Sequence, residues 1–162
     1  RGRGDVYKRQ AQINLEITET AAAHSDMLEN NIKILHKQGI EFSLDDYGSG
    51  YSNTDYLFRF PFRIVKIDKT ILWEAFKNEK AMIALRNTIR MIKELGLEIV
   101  VEGVENQEYV DYLTEQHCDY LQGYFYSKPI PDRDFLELLR RENAQYYAER
   151  FSKNELSDII TT

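Results

Sequence analysis

The sequence predicts an α/β protein, a parallel sheet covered by helices, and within that class part of a TIM-like (β/α)8 barrel. Three observations carry this. Short apolar strands alternate with amphipathic helices from Ile13 onward, and strands apolar along their length belong to sheets covered on both faces. No glycine-rich phosphate turn follows the first strand, as a dinucleotide-binding open sheet would require. Polar residues stand at or just past the C-terminal end of each strand: Glu16, Asp45 and Asp46, Lys66 and Asp68, Glu102, and Gln122. In a barrel those ends converge on one mouth, whereas an open sheet spreads them across its switch point.

The elements follow in order. Ile13, Leu15 and Ile17 alternate with Asn14, Glu16 and Thr18, the period of a strand. Ser25 reads as the N-cap of a helix carrying Leu28, Ile32 and Leu35 on one face, which Gly39 stops. Phe42 to Leu44 is the second strand and ends in Asp45-Asp46. A short amphipathic stretch around Tyr56 to Phe58 is broken by Pro61. Ile64 to Ile67 is the third strand. Met82, Leu85, Ile89 and Ile92 mark the core face of the longest helix, which Gly96 ends. Ile99 to Val101 is the fourth strand, Val110 and Leu113 mark a helix, and a fifth strand lies around Tyr120 to Gln122. Phe135, Leu136 and Leu139 share a last helix. About five of a barrel's eight strands are therefore readable.

Composition narrows the function classes. With 43% hydrophobic and 30% charged residues, the 162-residue chain reads as an ordinary globular domain. No apolar run approaches the length of a membrane span, and the basic, glycine-containing first ten residues do not resemble a signal peptide. Cys118 is the single cysteine, which excludes an internal disulfide and fits a cytoplasmic setting. One cysteine and three scattered histidines make a poor zinc set. A net charge of −6 argues against binding nucleic acid polymers. A small anionic ligand stays open if a metal cation reverses the local sign.

Carboxylates gathered at one mouth repel each other, and a bound cation is the simplest compensation. Oxygen donors without Cys or His point to hard ions such as Mg²⁺ or Mn²⁺. Adjacent carboxylates such as Asp45 and Asp46 can hold two ions about 4 Å apart, which suits in-line displacement at phosphorus. Lys66, on an apolar strand, is expected to aim its ammonium into the same mouth, to hold a water or to stabilise charge on a phosphate. Taken singly, each residue has a plainer reading. Asp-Asp before Gly is often a turn. Glu16 reads as a strand residue paired with a lysine, Lys66 as an edge-strand lysine, Glu102 as a strand exit, and Gln122 as a partner for backbone groups. Asp68 and Glu105 read as capping or bracing residues, His24, His36 and His117 as surface histidines, and Tyr47, Tyr51 and Tyr56 as packing. Placement at successive strand ends lifts the set above its members.

The segments Leu15 to Glu19, Asp45 to Asn53, Val65 to Asp68, Val101 to Glu105 and Cys118 to Tyr124, followed by Ser127-Lys128-Pro129, resemble the signatures of EAL-domain cyclic di-GMP phosphodiesterases. The resemblance runs in order from about Ile13 to about Leu139. It implies a TIM-like barrel hydrolysing cyclic di-GMP to linear pGpG with two Mg²⁺ or Mn²⁺ ions. It implies Glu16, Asp45, Asp46 and Glu102 as metal ligands, Lys66 and Glu102 as catalytic residues, and Gln122 in the metal–water network. Glu19 would brace the loop after Asp46, with Gly48 and Gly50 permitting its turns, and that loop would couple the site to a homodimer in the complete domain. No residue is assigned to the substrate itself.

The Glu-Ala-Leu strand, its neighbouring arginine and a metal-binding asparagine, all implied by the resemblance, are not in the sequence. The expected organisation is a non-family tail at 1–10, the C-terminal part of an EAL domain at 11–142 and a C-terminal helix or tail at 143–162. The parent protein is expected to be an active enzyme, cytoplasmic or tethered to a membrane with a cytoplasmic domain, and the 162-residue chain alone inactive. Two other readings remain open: a degenerate receptor that binds cyclic di-GMP without cleaving it, and another metal-dependent barrel, such as an enolase-like enzyme.

Overall fold

The computed structural model describes residues 14–22, 26–50 and 54–150. Ile13, His24, the proposed cap Ser25, and Tyr51 to Asn53 lie outside the described residues. The chain divides between Tyr126 and Ser127 into two units.

The first unit holds five strands: β1 (Asn14–Thr18), β2 (Glu41–Tyr47), β3 (Ile64–Ile67), β4 (Glu98–Val101) and β5 (Tyr120–Leu121). All neighbours pair in parallel, in the order β1-β2-β3-β4-β5. Each new strand adds to the same edge, so no switch point exists among the described residues. A doubly wound sheet would reverse direction once. This is a barrel's order, and the fold is a five-strand arc of a TIM-like barrel.

The connecting helices are α1 (Glu19–Ala22), α2 (Asp26–His36), α3 (Tyr56–Arg59), α4 (Lys69–Ala75), α5 (Glu79–Glu94) and α6 (Gln107–Glu115). The apolar spacing works as expected. Ile32 of α2, Leu85, Ile89 and Ile92 of α5, and Leu113 of α6 are buried against Phe42, Leu44, Val65, Ile67, Ile99 and Val101 of the sheet. Removing a large aliphatic side chain from such a core costs about 2–5 kcal/mol. Phe60, before Pro61, leaves the helical region at φ −103, ψ 147, because a following proline disfavours helical backbone. Asn78 and Asn106 cap α5 and α6 by accepting the backbone N–H groups of Lys80 and Tyr109.

Two helices go beyond the sequence reading. The four-residue α1 is too short to show a period. The seven-residue α4 lies where only a connection was expected. Its start is set by Asp68, whose carboxylate accepts the Thr70 N–H at 2.9 Å and the Thr70 hydroxyl. The capping reading of Asp68 holds. At the opposite end of the sheet, Asp119 accepts the Ile99 N–H at 2.9 Å. β1, an edge strand of the described sheet, leaves Leu15 38% exposed while Ile17 packs on the core.

The second unit contains α7 (Asp132–Arg150), started after Pro129 and Pro131, with the Phe135 N–H donating to the Pro131 carbonyl at 2.9 Å. Phe135, Leu136 and Leu139 lie on it as expected and are exposed.

Candidate functional site

The site begins with an irregularity in β2. Its register with β3 runs Ser43↔Ile64 and Leu44↔Val65, then resumes at Tyr47↔Ile67. β2 therefore spends one more residue than β3 over this stretch, a bulge at Asp45-Asp46. Asp46 takes φ 57, a left-handed conformation that aspartate tolerates better than most side chains. In a regular strand, neighbouring side chains point to opposite faces. The bulge removes that alternation. One carboxylate oxygen each from Asp45, Asp46 and Glu102 lies within 4.8 Å of the others.

β3 places Lys66 against the same group. Its Nζ lies 2.8 Å from Asp45 Oδ1, 3.0 Å from Glu102 Oε1 and 3.1 Å from Glu16 Oε1. The ammonium is nearly buried, while Glu16 is half exposed at the edge of the sheet. Burial lowers the pKa of Lys66, but contacts to Asp45, Glu102 and Glu16 outweigh that and leave it raised, so it stays charged. The lysine enters the mouth and is no edge-strand lysine, since β3 lies between β2 and β4 and Lys66 is nearly buried. The plainer expectation for Glu16 is met, because it is the lysine's partner. Four carboxylates against one ammonium leave the mouth negative.

The next turn is tied down from β1's end. Glu19 is buried, and its Oε2 accepts the Gly48 N–H at 3.1 Å. Gly48 sits at φ 90, where a side chain would be strained. Gly50 has no such need: its backbone is outside the left-handed region, and an added Cβ meets nothing among the described residues. Tyr47 and Tyr56 are buried packing residues.

Gln122 is brought near Glu102 but not into the ammonium cluster. Its backbone N–H donates to Val101 and its carbonyl accepts from Val104. Its side chain is exposed and shares a cavity of about 330 Å³ with Glu102, Glu105, Lys69, Trp73 and Tyr124. Lys69 and Trp73 were not singled out from the sequence, because they belong to the unforeseen α4. Trp73 Nε1–H donates to the Gly103 carbonyl at 2.8 Å. Gly103 has φ 71, and a Cβ there would lie 2.3 Å from Lys69 Cβ. The turn after Glu102 therefore requires glycine and is held by the indole. The signal available was that Trp73 is the only tryptophan, five residues beyond a capping aspartate. His36 and His117 stand at the ends of helices leading into β2 and β5, away from the mouth.

The donor chemistry fits a hard divalent cation. All donors are carboxylate oxygens, and Asp45 Oδ1 is buried, in ion-pair range of Lys66 but without a properly directed hydrogen bond. Among the described residues, no helix is long and apolar enough to cross a membrane.

Comparison with known proteins places this geometry. The model of the EAL domain matches residues 6–129. The cyclic di-GMP phosphodiesterase NbdA of Pseudomonas aeruginosa is 34% identical over 129 residues, 79% of this chain and 16% of its own length. A solved structure described as a PaMucR phosphodiesterase in complex with c-di-GMP superposes with a TM-score of 0.73 at 31% identity, covering 78% of this chain and 51% of that one. The Klebsiella pneumoniae BlrP1 structure, a manganese/cy-diGMP complex, gives 0.69 at 26% identity, covering 78% of this chain and 34% of that one. The chain thus spans only a sixth of NbdA and about half of the MucR chain. With a match over most of its length and the same fold, the chain belongs to the EAL domain family.

Proposed function

We propose that this chain carries part of the catalytic centre of a metal-dependent phosphodiesterase that opens cyclic di-GMP to linear pGpG. The observation that supports it most is the convergence of Glu16, Asp45, Asp46 and Glu102 from three strands around the Lys66 ammonium. In this reading Glu16, Asp45, Asp46 and Glu102 hold two Mg²⁺ or Mn²⁺ ions, which supply Lewis-acid charge for in-line displacement at phosphorus. Lys66 holds the attacking water and stabilises charge on the phosphoryl oxygens. Gln122, across the cavity from Glu102, orders water beside the ions. Glu19 and Gly48 keep the loop after Asp46 in register with the carboxylates, and that loop carries the contact between two copies of the complete domain. Water adds across one of the two phosphodiester bonds, so the ring opens and both phosphates stay on the product, one as a terminal monoester and one in the remaining diester link.

The parent protein performs this reaction in the cytoplasm, with residues 11–142 as its EAL segment. The 162-residue chain alone turns over no substrate, since the Glu-Ala-Leu strand and the asparagine are needed to complete the ligand set. Cyclic di-GMP with Mn²⁺, followed by chromatography for pGpG, tests both parts. The parent is expected to yield pGpG and the isolated chain none. Binding by the parent without any pGpG would instead establish the receptor reading.

A further inference from the structure

Lys66 is the only cation in contact range of the carboxylates among the described residues, and it contacts them from an unusual position. Its Nζ lies within 3.1 Å of carboxylate oxygens from three residues, Glu16 on β1, Asp45 on β2 and Glu102 just past β4. Two of these, Asp45 and Glu102, also belong to the group of three whose oxygens lie within 4.8 Å of one another. A divalent ion and the ammonium therefore draw on the same two carboxylates. Asp46, the third member, makes no ion pair with Lys66 and stands free of the competition. Glu16, half exposed at β1, contacts the ammonium from outside that group.

We propose that Lys66 is the built-in counter-cation of this mouth, filling it electrostatically before metal arrives and giving up Asp45 and Glu102 to the ion on binding. The inference rests on the metal-centre reading and adds a role that reading does not contain. Without a counter-charge, clustered carboxylates repel, and a divalent ion becomes the one charge that can relieve them. With the ammonium in place, the cluster is assembled in advance. The ion then meets preformed ligands but must displace a competitor, which weakens its binding. Glu16 gives the displaced ammonium a partner to retain.

The test is Mn²⁺ titration of the chain, with free Mn²⁺ followed by electron paramagnetic resonance, in wild type, Lys66→Met and Lys66→Arg. Lys66→Met is expected to bind Mn²⁺ about tenfold more tightly than wild type. Lys66→Arg, which keeps the competing charge, is expected to stay within about threefold. Equal or weaker binding by Lys66→Met would overturn the exchange while leaving the metal centre intact. Absence of Mn²⁺ uptake by all three proteins would overturn the metal centre, and the exchange with it. Should Lys66→Met fail to fold, wild type decides. Mass spectrometry after amine labelling is expected to show Lys66 modified several-fold faster in saturating Mg²⁺ than in chelator. Unchanged labelling, with Mg²⁺ binding shown separately by calorimetry, would contradict the proposal.

Discussion

Arg63, just before β3, and Lys66, near its far end, stand three residues apart, and each meets carboxylates from other strands of the sheet or the turns that follow them. Arg63 is exposed and meets Glu98 at 3.1 Å and Glu41 at 3.9 Å. Lys66 is nearly buried and meets Asp45, Glu102 and Glu16. The lower arrangement sets one arginine between two glutamates in solvent and does no more than tie β2, β3 and β4 together. Such exposed pairs are worth little, because water screens them. The upper one gathers four carboxylates around one lysine, three of them partly buried, where water screens them less than it does the lower pair. An excess of partly buried carboxylate is costly for folding. It makes physical sense where a cation is to be bound, and the contrast is the clearest sign of function in the molecule.

Neutralising each cation should therefore give unequal results. In chelator, Lys66→Met is expected to lose about 3 kcal/mol of stability, since breaking a buried pair strands its partners. Arg63→Met should lose less than about 1 kcal/mol. Urea unfolding of both variants measures the difference, and equal losses would remove the distinction between the two ends.

The upper end also depends on its turns. Gly103→Ala, forced to a left-handed backbone against Lys69, is expected to cost about 2 kcal/mol. Trp73→Phe removes only the indole bond to the Gly103 carbonyl, for about 1 kcal/mol. Circular dichroism melts would rank the two, and the reverse order would show that the indole, not the backbone, sets this turn.

The smallest effect lies at the lower end, where the half-buried Cys118 begins the approach to β5. Burial first, then Asp119, push its thiol up to about 11 from an ordinary 9.0, against the opposing pull of Lys93. The neutral thiol is favoured in the fold, so its stabilising contribution is whole below the ordinary value and fades as pH rises toward about 11. Iodoacetamide should modify native Cys118 slowly near neutrality, accelerating only as pH nears about 11. Unfolded chain should react about two pH units earlier.

Much of this was legible in the residues. Apolar spacing located all five strands and the faces of α2, α5 and α6, because burial against a parallel sheet leaves a strong period. Strand-end polarity pointed to the mouth for the same reason: Glu16, Asp45, Lys66 and Glu102 interrupt apolar runs. Other features left no such trace. The bulge that turns Asp46 toward Asp45 depends on pairing with β3, which no local pattern announces. α4 is short and begins at a cap rather than a period, so Trp73 and Lys69 went unseen with it. Gly48 and Gly50 look alike in sequence, yet of the two Gly48 takes a left-handed backbone and Gly50 does not, a difference that no local pattern announces. Gln122 was placed at the right strand end, yet β5 stops at Leu121 and its side chain faces the neighbouring cavity.

The central claim is that the bulge makes a metal centre of the mouth. Mn²⁺ uptake by wild type and by Asp46→Asn, followed by electron paramagnetic resonance, tests it most directly, since Asp46 is a ligand in this account and makes no ion pair with Lys66. The account predicts that wild type takes up Mn²⁺ and that Asp46→Asn binds it at least about a hundredfold more weakly. Equal uptake by the two proteins would contradict it.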